Sequence, residues 1–126
     1  MIFKLKTSKE TMQIFEEIGN SIRLQPYVLS KIAIALSIKQ SSGLTESDFH
    51  TNSDGLELNR QTITGEYDDM FKALIISHAQ ICLSDEEYFP AYLKAHLDRG
   101  ARLLLSEFRY SGSRFYQHLI NLDSGI

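Results

Sequence analysis

The sequence predicts a mostly α-helical fold: a short N-terminal strand followed by about five helices, in one domain that assembles as a homo-oligomer. Three observations carry this expectation. Apolar residues recur at helical spacing through most of the chain, bounded by cap and turn signals. Residues 2–6 instead alternate, with Phe3 and Leu5 on one face and Lys4 and Lys6 on the other. That strand has no evident partner, and the second helix is apolar almost all round, so both ask for another copy.

At 126 residues the chain fits one domain with a real core, 43% of it hydrophobic. Residues 1–43 are expected to form a strand–helix–helix part, and residues 44–126 a helical extension. No apolar run approaches the ~20 residues that span a bilayer, and Met1-Ile2-Phe3-Lys4 opens no secretory leader. Cys82 is the only cysteine, so no disulfide closes within the chain and a reducing cytoplasm is expected. Net charge is −3 but unevenly spread. Residues 1–43 carry six Lys/Arg against three acids, a net of +3, and residues 44–126 carry seven against thirteen, a net of −6. A basic first third on an acidic body suggests nucleic acid on one side and a protein partner on the other.

The first helix opens at Thr7, which has capping-box spacing to Glu10. Thr11, Met12, Ile14, Phe15 and Ile18 make its apolar face, and Gly19-Asn20 its stop. Pro26 suits the first turn of a second helix, which ends near Ser42-Gly43. Strand, helix, turn, helix is a ribbon-helix-helix-like order, in which two chains pair strands and the ribbon enters the major groove. Lys4 and Lys6 then point outward, Lys9 lies at a helix N-terminus, and Arg23 and Lys31 add charge. These five are the candidate DNA-binding residues. Residues 44–53 read as a loop. Met70, Phe71, Leu74, Ile75 and His78 make a third helix. Ser84 and Glu87 form a second capping box, opening a fourth helix in which Pro90 is tolerated only because it comes early. Gly100 inside that helix signals close packing. Ser111-Gly112-Ser113 breaks it, and Phe115, Leu119, Ile120 and Leu122 allow a short last helix before a fraying tail.

Enzyme motifs are scarce. There is no Gly-rich phosphate loop, no paired-cysteine metal spacing and no Gly-x-Ser-x-Gly. His78 and Cys82 lie four apart, but a metal would need further ligands, and Cys82 between Ile81 and Leu83 reads as a small buried hydrophobe. No metal and no cofactor are expected. His96 and Arg99 share a helix face, with His96 read as packing and Arg99 as a possible phosphate or carboxylate ligand.

The stretch from Asp54 to Tyr67 is too polar for plain core and too regular for slack loop. Asp54-Gly55 suits a tight turn with positive φ, and Gly65-Glu66 precedes an acidic helix start. In between, Arg60 is expected to pair with Glu57 or Glu66, and Asn59 to cap a backbone group. The whole reads as a structural clamp, with docking of a partner as the alternative.

The same stretch is similar to the signature of the DndE family, small accessory proteins of bacterial DNA phosphorothioate modification. The matching residues are Asp54-Gly55-Leu56-Glu57, Asn59-Arg60, Thr62 and Gly65-Glu66. Lys4-Leu5-Lys6-Thr7-Ser8-Lys9-Glu10, Leu29-Ser30-Lys31-Ile32-Ala33 and Ala95-His96-Leu97-Asp98-Arg99-Gly100 also match. The resemblance implies a non-catalytic, homo-oligomeric DNA-binding component, commonly a tetramer. It would hold duplex or nicked DNA beside a cysteine desulfurase, an iron–sulfur protein and an ATPase that exchange a phosphate oxygen for sulfur. Ile22-Arg23 and Tyr27 depart from the family's pattern, which bears on the turn between the first two helices. A ribbon-helix-helix repressor and an adaptor that binds only protein are the competing readings.

Overall fold

The computed structural model describes residues 2–121. The chain begins with strand β1, Lys4–Lys6, which buries Leu5 and exposes the two lysines. Helix α1, Lys9–Ile22, follows, capped by Ser8, whose side chain accepts from the Thr11 N–H. The cap therefore sits one residue later than the capping-box spacing suggests. Thr7 is needed elsewhere: its Oγ1 accepts from the Leu56 N–H at 2.9 Å. Gly19-Asn20 does not stop α1 either. The helix runs to Ile22, and Arg23 takes the left-handed C-cap conformation at φ 59°, its N–H bonded to the Gly19 carbonyl. Helix α2, Pro26–Lys39, starts at the proline as expected and ends three residues before Ser42.

A single 3₁₀ turn, Glu46–Phe49, interrupts the polar loop. Next comes strand β2, Glu57–Asn59, which alternation in so short a run did not reveal. It pairs antiparallel with β1 in the register Lys4 to Asn59, Leu5 to Leu58 and Lys6 to Glu57. The expected strand from another copy is thus replaced by a partner in the same chain. The strand–helix–helix order stands, but its ribbon is made within the chain.

Helix α3, Arg60–Ile63, and a 3₁₀ turn, Gly65–Tyr67, lead into α4, Asp68–Ala79. The second capping box is present: Ser84 accepts from the Glu87 N–H and Glu87 from the Ser84 N–H, opening α5, Asp85–Glu87. The backbone then widens into a π turn, Tyr88–Leu93. Pro90 falls inside it, where a missing N–H is easiest to accommodate. Helix α6, Lys94–Ser111, ends at Gly112, φ 55°, and α7, Phe115–Asn121, closes the described chain. Leu122 and the tail lie outside the described residues.

Helix α6 is the axis of the fold, and α2 packs along it more extensively than any other pair of elements meets. Gly100 permits this: a Cβ there would stand 1.8 Å from the Ala33 carbonyl oxygen. Phe15 and Ile18 of α1, Leu29 and Ile34 of α2, and Leu97 and Leu104 of α6 lie in one contiguous core. Each such side chain contributes about 2 kcal/mol by leaving water.

Candidate functional site

Arg60 ends β2 and starts α3, and its guanidinium turns inward beneath β1. Nε donates to Asp68 Oδ1 at 3.1 Å, Nη1 to Asp85 Oδ2 at 3.0 Å and the Ile2 carbonyl at 2.9 Å. Nη2 donates to Asp68 Oδ2 at 2.6 Å and Asp85 Oδ1 at 2.7 Å. All of its N–H groups are therefore used, in two carboxylate forks and one backbone bond. Arg60 Cζ lies over the Phe89 ring, 4.7 Å from its centre, and the Arg60 N–H donates to the Phe3 carbonyl. Hydrogen bonds donated to Asp85 and Asp68 hold the guanidinium still more firmly charged. Burial pushes Asp68 up, but hydrogen bonds from Arg60, Thr64 and Tyr88 outweigh it and leave the carboxyl below its usual range. The Arg60 hydrogen bonds pull Asp85 down to about 2. Burial, with the bond to Asp68, keeps the Tyr88 phenol protonated.

Arg60 does centre an ion-pair network, but its partners are not those expected. Glu57 faces solvent 3.8 Å from Lys4, Glu66 is exposed, and neither touches Arg60. Asn59 caps nothing with its side chain; its carbonyl accepts from Thr62 Oγ1. Gly55 is not at positive φ. It is demanded by close approach, since a Cβ would lie 2.2 Å from the Ser8 carbonyl oxygen and 2.4 Å from Thr7 Oγ1. Asp54 is exposed, and Gly65 does adopt positive φ, 51°.

A second knot centres on Asp98, 1% exposed. Oδ1 accepts from the Ser8 N–H at 3.1 Å and Thr11 Oγ1 at 2.7 Å. Oδ2 accepts from Thr51 Oγ1 at 2.6 Å and Lys94 Nζ at 2.9 Å. The carboxylate sits at the positive end of α1 and ties it to α6 and to the loop before β2. Asp98→Asn keeps the size but turns an NH₂ toward donors. We expect it to lose about 3 kcal/mol of unfolding free energy, read by urea melts, because breaking a buried ionic knot strands its partners. A loss below ~1 kcal/mol would show that water can take the carboxylate's place.

The third knot joins α2 to α6. Ser37 Oγ lies 2.7 Å from His96 Nδ1 and accepts from Arg99 Nε at 2.8 Å. Arg99 Nη2 donates to the Ser37 carbonyl, and Nη1 to those of Ser42 and Gly43. Arg99 thus caps the C-terminal end of α2 with its side chain and is not presented to phosphate or carboxylate. Burial, with help from His78 and Arg99, depresses His96 to about 3, so the ring is neutral. His78 Nε2 bonds the Gln40 carbonyl and Cys82 is exposed, not buried as its neighbours suggested. Among the described residues no group of three or more His, Cys, Asp and Glu is placed to hold a metal.

The basic candidates lie on the surface. Lys4 and Lys6 stand side by side on the outer face of β1, and Lys9 follows at the start of α1. Lysines on a short strand also discourage a further strand from adding. The α1 N-terminus itself is occupied: the Lys9 N–H bonds Asn52 Oδ1, the Thr11 N–H bonds Ser8 Oγ and Ser8's own N–H bonds Asp98. A phosphate would have to be met there by side chains. Arg23 lies at the far end of α1, about 21 Å away along the axis. Lys31 stands over the Tyr27 ring on α2, 5.6 Å from its centre. The three lysines thus follow one another along the chain at the β1–α1 junction, with Arg23 at the other end of α1 and Lys31 on α2. No helix of the described residues is long and apolar enough to cross a membrane.

The DndE family profile, described as DNA sulphur modification protein DndE, matches residues 4–111. The chain belongs to the DndE family. The crystal structure of DndE from Escherichia coli B7A, described as involved in DNA phosphorothioation modification, superposes with a TM-score of 0.65 at 17% identity. That match covers 80% of this chain and 96% of that one. A DndE G21/24K mutant involved in DNA phosphorothioation gives 0.64 at 16% identity, over 82% and 97%. At such identity the likeness concerns the fold. No curated protein matches significantly. The DndE-like residues Gly55, Arg60, Asp98, Arg99 and Gly100 all serve the three knots or close packing, so this part of the signature is a folding signature.

Proposed function

We propose that the protein is a non-catalytic DNA-binding component of a cytoplasmic DNA phosphorothioate modification system. It acts as a homotetramer that holds duplex or nicked DNA for an iron–sulfur protein, an ATPase and a cysteine desulfurase. The observation that carries this reading is the cluster Lys4, Lys6 and Lys9, exposed on the basic third of an acidic chain whose family is named for DNA sulphur modification. Among the described residues no ion pair engages Lys6 or Lys9, and Lys4 has only its exposed contact to Glu57. Phosphate binding needs such free cations. Arg23 and Lys31 are further exposed cations outside that cluster. The outer side of α2 supports assembly: Tyr27 and Ala35 are exposed and Val28, Ile32 and Leu36 only half-buried, leaving apolar area for other copies.

Fluorescence anisotropy on intact and nicked duplexes of unrelated sequence, at two salt concentrations, tests the reading. Binding is expected to be salt-sensitive and sequence-independent. Lys4→Ala/Lys6→Ala/Lys9→Ala should weaken it and flatten the log–log salt slope by about 0.9 for each phosphate no longer neutralised. Unchanged affinity in the triple variant removes this face from consideration. Absence of DNA binding by the wild type leaves the adaptor reading.

A further inference from the structure

Helix α4 fully buries only Ile75 and shows solvent a largely apolar seam. Met70 is 50% and Leu74 44% exposed, with Tyr67 at 58% just before the helix and Ile81 at 49% just after. Ala73 and Ser77 are the exposed small residues between them. Met70, Leu74 and Ser77 are four and three apart, which is one line along a helix. Single exposed apolar side chains are ordinary, whereas a line of large ones marks a contact surface. Helix α1, by contrast, exposes Gln13, Glu16, Glu17 and Asn20.

Apart from Lys72, the charge around the seam has one sign. Glu66 and Asp69 are exposed at its N-terminal end. Exposed Glu86 lies nearby, because Asp68 of α4 and Asp85 of α5 grip the same guanidinium. Lys72, the one lysine of α4, is turned to the Tyr88 ring, 5.7 Å from its centre. Glu66, Asp69 and Glu86 have no basic partner among the described residues. A second copy suits this surface poorly. Paired parallel, acids would meet acids. Paired antiparallel, they would meet a last turn whose His78 already bonds the Gln40 carbonyl. A seam about 20 Å long and 10 Å wide is also well short of the ~800 Å² per partner of a standard stable interface.

We propose that this seam docks an amphipathic helix of a partner protein, antiparallel to α4, with an apolar face of the same spacing and a Lys/Arg-rich last turn. Helices carry basic residues favourably at that end, and there they would meet Glu66, Asp69 and Glu86. An open cleft of about 480 Å³ beside Phe3, Gln61 and Gly65 continues the surface past the acidic end, with room for the chain that follows the docked helix. The proposal stands apart from the DNA-holding reading, since its residues are not those of the lysine cluster.

Two labelled, helix-stapled peptides test it. Both carry the same leucine face; one has Lys/Arg in its last turn and the other Glu. The wild type is expected to bind the basic peptide at least tenfold more tightly. Met70→Ser/Leu74→Ser should lower that affinity at least tenfold, with circular dichroism, melting temperature and DNA affinity unchanged. Glu66→Lys/Asp69→Lys should reverse the preference. Equal binding of both peptides, binding of neither, or binding indifferent to the Met70/Leu74 pair overturns the proposal. So does a fall in molecular mass by light scattering in the serine pair, which would place a second copy on the seam.

Discussion

Arg60→Ala is expected to lower the unfolding free energy by about 3–5 kcal/mol, the usual result of breaking a buried ionic knot by removing one side. The side chain is only 8% exposed, and its partners Asp68 and Asp85 are 20% and 25% exposed, so solvent screens the pairs weakly. Without the guanidinium, two carboxylates face each other and the Ile2 and Phe3 segment loses its anchor beneath β1. Arg60→Lys should recover little, because an ammonium cannot fork two carboxylates and bond the Ile2 carbonyl at once. Urea melts at neutral pH measure the loss, and a value under ~1 kcal/mol would falsify the assignment of Arg60 as the organising residue.

The same knot sets an acid dependence whose sign can be worked out. Asp85 has a folded-state value of about 2 against 3.8 ordinarily, and Asp68 is lowered too. A depressed carboxyl contributes stability that is fully present above the ordinary value and lost as pH falls through the folded one. Wild-type stability should therefore decline between about pH 4 and pH 2 from this source. In Arg60→Ala, Asp85 is no longer held down and Asp68 keeps only its bonds from Thr64 and Tyr88, so that slope flattens and the two proteins converge in acid. Parallel pH profiles for both would place the acid sensitivity elsewhere.

How far the sequence could be read differs from element to element, for physical reasons. Helices with local signals were legible: Pro26 at the start of α2, the Ser84–Glu87 box and the Gly112 stop each depend on residues within one turn. Strand β2 was not, because three residues give too little alternation and its identity depends on Leu58 meeting Leu5 from far along the chain. The polar knots failed in the same way. Arg60 announced itself as an ion-pair centre, yet Glu57 and Glu66 were nearer in sequence than Asp68 and Asp85. Sequence distance does not measure which carboxylate a fold brings beneath a strand. Asp98 stood inside a recognised motif, but nothing local says that Ser8, Thr11 and Thr51 converge on it. Arg23 illustrates the converse: a left-handed cap usually belongs to glycine, so Gly19 drew the boundary three residues too early. The lysine positions were legible as exposed, whereas the occupation of the α1 N-terminus by Asn52 and Asp98 was not.

Gly100→Ala reverses the ordinary rule for helices, and the reversal is the test of how α2 and α6 meet. In an open helix the change would add about 1 kcal/mol of stability. Here the new methyl would stand 1.8 Å from the Ala33 carbonyl oxygen and 2.3 Å from its carbon. These are backbone atoms, so no side-chain rotation clears them and the helices must part. One turn away, Ser37 holds His96 and Arg99. Parting the helices would strain those bonds and leave buried polar groups unpaired. We expect a loss of about 3 kcal/mol or more, combining overpacking with broken buried hydrogen bonds. Ala33→Gly should not rescue it, because the obstacle is the carbonyl and not the alanine methyl. Gly43→Ala is the control: nothing lies within 4 Å of its Cβ position, so stability should change by less than ~1 kcal/mol. If Gly100→Ala behaved like Gly43→Ala, α2 and α6 could not be as close as Gly100 places them, and the knot on Ser37 would have to be redrawn with them.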